Sequence, residues 1–147
     1  MSSSKPAAVV QSLDHIVLTV KSIPKTIEWY TSNLGMRSEC FVSDGSPDIK
    51  RHSLIFGDQK INLHESEKCP DSNPHRPTGK RRPMLHNSYT HPIRPPSLLA
   101  GGMEILDLSP EKTDKDGTVL RTGARGTLRS IYCRDPDGNL VEISNYV

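Results

Sequence analysis

The chain has 147 residues, room for one compact domain, with 33% apolar and 24% charged residues. Nineteen Lys and Arg against 17 Asp and Glu leave a formal charge of +2, which excludes a chain-wide basic field for nucleic acid or an anionic membrane. No apolar run reaches the ~20 residues a helix needs to cross a bilayer, Met1 to Val10 lack the blocks of a secretory signal, and Cys40, Cys69 and Cys133 suit no disulfide framework; the expectation is a soluble, cytoplasmic protein.

Residues 1–12 read as a disordered tail. Leu13 to Val20 then alternates, with Ile16, Leu18 and Val20 on one face and His15, Val17 and Thr19 on the other. Ser22 offers a helix N-cap, and Pro24 suits a first turn. Ile23, Ile27, Tyr30 and Leu34 fall at helical spacing, and Gly35 stops the helix. Strands are expected over Arg37–Val42, Arg51–Phe56 and Lys60–Glu65, the last two joined by a tight turn at Gly57-Asp58. Residues 13–65 therefore form a βαβββ module.

Residues 66–99 break the pattern. They hold seven of the twelve prolines and six basic residues against two acidic ones, so no helix of three turns fits between the prolines. The stretch reads as extended or irregular chain. Leu98 to Gly102 resembles the end of a helix. Strands are then expected over Met103–Leu108, Leu128–Cys133 and Leu140–Ser144, with a turn at Asp135-Pro136-Asp137-Gly138 and a glycine-rich loop over Arg121–Gly126. Residues 100–147 look like a second module without its opening βα. The fold class is α+β, of paired βαβββ modules. A second sheet without its helix would leave an apolar face bare, which favours pairing with another chain.

Strand parity isolates three ligand-type residues. His15, His64 and Glu142 each stand on the mixed face of a strand whose other face is aliphatic. Two imidazoles and a carboxylate suit Zn, Ni, Mn or Fe. By themselves they are also ordinary solvated side chains. Trp29 and Tyr30 read as core anchors, and Cys40 and Cys133 as small apolar strand residues without a base beside them.

LDHIVLTV, the helix ending NLGM, FGDQKINLHE and RTGARGTLRSIYCRDPDGNLVEISNY together resemble the vicinal-oxygen-chelate (VOC) superfamily of glyoxalases, bleomycin-resistance proteins and dioxygenases. Within it the likeness is to the glyoxalase domain-containing protein 5 group. It covers 13–65 and about 103–147, roughly two-thirds of the chain. The resemblance implies strands curled around a divalent metal, with His15, His64 and Glu142 as ligands, and Glu142 also able to move a proton. It implies a small α-oxo or vicinal-dioxygen substrate, lyase or isomerase chemistry, and a homodimer. It also puts Arg121 or Arg125 beside an anionic substrate.

The ligand that opens module two in that superfamily has no strand to stand on in this reading. His86 and His91 lie in LHNSYTHPIRPP, which shows no alternation, and read with His52 and His75 as solvated. Two alternatives accompany the enzyme: a non-catalytic small-molecule binder, or a degenerate product in which 76–97 is out of frame.

Overall fold

The computed structural model describes residues 12–43, 46–66, 84–88 and 103–147, the segment 84–88 as a strand without its side chains. Residues 1–11 of the expected tail, the helix end at Leu98–Gly102, and His75 and His91 lie outside the described residues. Among the described residues eight strands form two four-stranded sheets, ordered β1-β4-β3-β2 and β5-β8-β7-β6.

The first sheet follows the alternation. Strand β1 (His15–Val20) turns Leu18 and Val20 inward at 2% and 1% exposure, while His15, Val17 and Thr19 stay open to solvent. Helix α1 (Ile23–Leu34) starts where Ser22 is extended and Pro24 occupies the first turn. The Ser22 side chain makes no cap. Its carbonyl instead accepts both the Thr26 amide and the Thr26 hydroxyl, each at 3.0 Å. Gly35 ends the helix at φ +65, its N–H bonded to the Thr31 carbonyl and that of Met36 to the Tyr30 carbonyl, a left-handed turn that glycine adopts at least cost. The buried stripe is Thr26, Tyr30 and Leu34.

Strands β2 (Arg37–Ser43), β3 (Ser46–Phe56) and β4 (Gln59–Glu65) complete the sheet. The Gly57-Asp58 hairpin turn forms as expected, with Gly57 at φ +51. Strand β4 lies antiparallel to β3 and parallel to β1. Leu54, Ile61 and Leu63 face the α1 side, exposed by 3% or less.

The second sheet departs from expectation at three places. Strand β5 (Met84–Ser88) lies inside the proline-rich stretch, parallel to β8 (Leu140–Tyr146). An opening strand for module two therefore exists. Five residues between Pro83 and the later prolines are enough for a short edge strand, yet too few to show alternation. Reading 76–97 as out of frame does not anticipate such a strand.

Arg121 to Gly123, read as loop, belong to strand β6 (Val119–Gly123), which turns through Ala124-Arg125 into β7 (Gly126–Arg134). Gly126 at φ +131 carries that turn. Met103–Leu108, read as a strand, makes a single bridge from Ile105 to Cys133. Of its apolar residues Met103 is 3% exposed and joins the core, with Ile105 packed against it.

One core serves both modules. Leu18, Val20, Tyr30, Leu34, Leu54, Ile61 and Leu63 cluster with Ile131, Cys133, Val141 and Ile143 of the second sheet. The apolar face expected to be bare is covered. Polar bonds fasten the same seam. The Tyr30 hydroxyl donates to Asp135 Oδ2 at 3.1 Å, and the Lys21 amide donates to Asp137 Oδ1 at 3.1 Å.

Burial and the neighbouring Asp135 push the Cys133 thiol up to about 12. Thiolate is the reactive form, so Cys133 should resist iodoacetamide at pH 8 while exposed Cys40 reacts. Peptide mass spectrometry of the labelled native protein checks this. Rapid labelling at Cys133 would mean that the seam opens.

Candidate functional site

Each sheet turns one face to the common core; the other face of the first sheet carries His15, and that of the second carries Glu142, which is buried. The register fixes who stands beside whom on these second faces. On the first sheet His15 is level with Lys60, Val17 with Asn62, and Thr19 with His64. His15 and His64 share a face, as parity predicts. Their levels differ by four residues, about 13 Å along the strands. One ion held by both rings is therefore not compatible with this register, given metal–nitrogen bonds of about 2 Å.

His15 Nδ1 lies 2.6 Å from Asp14 Oδ2. A carboxylate on Nδ1 fixes the ring and directs Nε2 outward, the usual support for a histidine that binds metal through Nε2. Asp14 was visible in the sequence as the residue before His15; nothing in strand parity marks it.

On the second sheet a cavity of about 360 Å³ is lined by residues of β6, β7, β8 and the β6–β7 turn, among them Arg121, Leu128, Tyr132, Glu142 and Tyr146. Glu142 is only 7% exposed. Tyr132 stands level with it across the ladder. Arg121 Nε donates to the Tyr132 hydroxyl at 3.1 Å, and its Nη2 reaches Ser109 Oγ at 2.9 Å. Burial raises the Tyr132 pKa, Arg121 opposes that, and the Glu142 carboxylate adds to it. The phenol therefore stays protonated, and its oxygen accepts from Arg121. Arg125 lies outside this chain of bonds, its guanidinium 4.9 Å above the Tyr146 ring.

Strand β5 sets His86 level with Glu142 in backbone register. The sequence signal for that pairing was a histidine alone, between prolines.

Within one chain the expected ligands do not converge. Among the described residues no three of His, Cys, Asp and Glu form a group able to hold a metal, and neither His15 nor His64 lines the Glu142 cavity. His15 and His64 stand on the first sheet and Glu142 on the second.

The family model for the Glyoxalase/Bleomycin resistance protein/Dioxygenase superfamily matches residues 12–143. The chain belongs to this superfamily. Among its relatives in the superfamily, virulence protein STM3117 of Salmonella typhimurium is 40% identical over 141 residues, 95% of this chain and 87% of that one. Glyoxalase domain-containing protein RDO1 of Mycosarcoma maydis is 36% identical over 93% of this chain and 69% of its own. These relatives replace the expected likeness to glyoxalase domain-containing protein 5. The crystal structure of STM3117 superposes with a TM-score of 0.70 and 37% identity, covering 95% of this chain and all 100% of that one. A protein from the mobile metagenome of V. pseudocholerae superposes with a TM-score of 0.74 and 34% identity, over 95% and 98% of the two chains. No helix among the described residues is long and apolar enough to cross a membrane.

Proposed function

We propose that this superfamily member is a divalent-metal-dependent lyase or isomerase for a small α-oxo or vicinal-dioxygen substrate, working as a cytoplasmic homodimer. The observation that carries the reading is His15 braced through Nδ1 by Asp14, an exposed histidine prepared for a metal. Glu142 is the matching carboxylate on the second sheet, and His86, level with it, is the candidate for a further ligand. A C2 pairing that lays the first sheet of one chain on the second sheet of its partner brings these donors together.

The donor set of imidazole and carboxylate fits Zn, Ni, Mn or Fe. Such an ion, when bound, polarises the substrate's oxygens. The chain's own residues do the rest. Tyr132 stands level with Glu142 across the ladder, its hydroxyl held by Arg121, which is in turn bonded to Ser109. Glu142 is then the residue placed to move a proton. Of the two arginines Arg121 lines the cavity, and it is the one assigned to an anionic substrate group. His64, some 13 Å along the strands from the level of His15, is assigned to the substrate end.

Metal analysis and light scattering on the purified protein test this. Expected are a dimer and a stoichiometric divalent metal that disappears in Glu142→Ala and His15→Ala but stays in His64→Ala. A folded protein that takes up none of the four metals would leave a small-molecule-binding role in place of the enzyme.

A further inference from the structure

Residues 109–112 read Ser-Pro-Glu-Lys. They lie between the Ile105 bridge and strand β6, where Pro110–Lys112 make a single turn of 3₁₀ helix with no buried residue. The Lys112 amide closes that turn on the Ser109 carbonyl at 2.8 Å, and the Ser109 amide reaches Asp107 Oδ1 at 3.3 Å. Ser109 is half-buried; Pro110, Glu111 and Lys112 are exposed. A segment outside the sheets and held by so few bonds opens locally at small cost. Serine followed by proline, with a basic residue at the third position after the serine, is the pattern that proline-directed protein kinases accept. The proline has no N–H to leave unpaired, and the basic residue meets an acidic kinase surface. The chain's other Ser-Pro pair, Ser46-Pro47, has Ile49 at that third position.

The contact made by the Ser109 hydroxyl gives such a modification a consequence. Arg121 donates from Nη2 to Ser109 Oγ at 2.9 Å and from Nε to the Tyr132 hydroxyl at 3.1 Å, while Nη1 lies 3.4 Å from the Leu120 carbonyl. Nε and Nη2 are the parallel donors along one edge of the guanidinium, an edge shaped to take a phosphate bidentately. In the unmodified chain that edge is divided between two neutral hydroxyls on different elements.

We propose that Ser109 is a phosphorylation site and that its phosphate takes the Nε–Nη2 edge of Arg121, drawing the arginine off Tyr132. In the transfer Ser109 Oγ attacks the γ-phosphorus of ATP. The Oγ–P bond forms, the bond from that phosphorus to the β-bridging oxygen breaks, ADP leaves, and the hydroxyl proton passes to the kinase's catalytic carboxylate. The product carries a charge of about −1.5 to −2, and a neutral phenol oxygen does not compete with it for a guanidinium. Asp107, beside the Ser109 amide, and Glu111 oppose the new charge, so the phosphate depends on Arg121. Arg121 lines the Glu142 cavity, and its capture withdraws it from the anionic substrate group assigned to it. That last consequence rests on the proposed function; the modification and the capture do not.

The test begins with the full chain, a purified cyclin-dependent kinase and ATP, followed by peptide mass spectrometry. Expected is phosphate on Ser109 and not on Ser46, and none in Ser109→Ala. Phosphoserine placed at position 109 by nonsense suppression then reports the capture by phosphorus NMR. Its second ionisation, ordinarily near ~6, should fall by about one pH unit in the folded protein and return to its ordinary value in urea. Arg121→Gln should abolish most of that fall. The Arg121 Nε–Hε signal should move on phosphorylation, as its acceptor changes from phenol to phosphate. A kinase that modifies a control peptide yet leaves Ser109 bare would overturn the modification site. An ionisation equal in the folded protein and in urea, or an unmoved Nε–Hε signal, would overturn the capture. None of these readouts uses a metal or turnover, so they are independent of the proposed enzyme activity.

Discussion

A heterodimer built from two metal-free variants should recover one metal ion. If the first sheet of each chain completes the second sheet of its partner, His15→Ala and Glu142→Ala homodimers each lose both centres. A mixed dimer places the intact His15 of one chain against the intact Glu142 of the other. It also places both defects together at the second centre. The two variants are co-expressed with different tags and the doubly tagged species is isolated. About one ion per mixed dimer is expected, against about two for the unaltered protein and none for either parent. Loss of a primary ligand exceeds the roughly 10- to 100-fold cost of losing a supporting residue, so the parents should be empty under ordinary dialysis. An empty mixed dimer would refute a centre shared between chains. The structural basis is that, among the described residues, those lining the Glu142 cavity all belong to the second sheet and its β6–β7 turn, with neither His15 nor His64 among them.

The largest stability effect should come from Asp135→Ala. This carboxylate is 5% exposed and accepts four hydrogen bonds. The Asp137 and Asn139 amides reach Oδ1 at 3.0 and 2.7 Å; the Asn139 side chain and the Tyr30 hydroxyl reach Oδ2 at 2.7 and 3.1 Å. Truncation leaves the buried Tyr30 hydroxyl and the Asn139 amides without acceptors, each at about 1–3 kcal/mol. The expected loss is about 3–5 kcal/mol, a large part of the 5–15 typical of a domain. Tyr30→Phe removes one bond and should cost about 1–2 kcal/mol. Urea midpoints measure both, and a cost below about 1 kcal/mol for Asp135→Ala would refute this account of the seam. Burial and the Asp135 carboxylate raise the Tyr30 pKa above its ordinary 10.0. The folded state therefore holds this proton after the unfolded chain has released it. The stability linked to it is complete below about pH 10 and falls as the pH climbs higher. Tyr30→Phe should flatten that fall.

Much of the first module was legible because its signals are local and agree. Alternation in β1, the Ser22–Pro24 start, the Gly35 stop and the Gly57-Asp58 turn all act within a few residues. The DPDG turn was equally plain, as Asp135 bonds the amides two and four residues on. Parity also placed His15 and His64 on one face. It gave no access to their levels, since register depends on pairing between strands far apart in sequence. The same limit hid β5, whose evidence is its partner β8 rather than its own five residues. Strand β6 was taken for loop because Gly123 and Gly126 suggested irregular chain; they flank a tight hairpin instead. Tyr132 escaped notice because its importance lies in Glu142 across the ladder and Arg121 on the next strand.

The Tyr30–Asp135 bond joins residues 105 positions apart, and that separation bears on how the chain reaches its fold. Bringing such distant points together costs about 4 kcal/mol of loop-closure entropy. The β2–β3, β3–β4, β6–β7 and β7–β8 pairings are between consecutive strands and close much shorter loops. Each meander can thus assemble early, with the seam between modules formed last. Mutations at the seam would then act chiefly by speeding unfolding, while those in the meanders would slow folding.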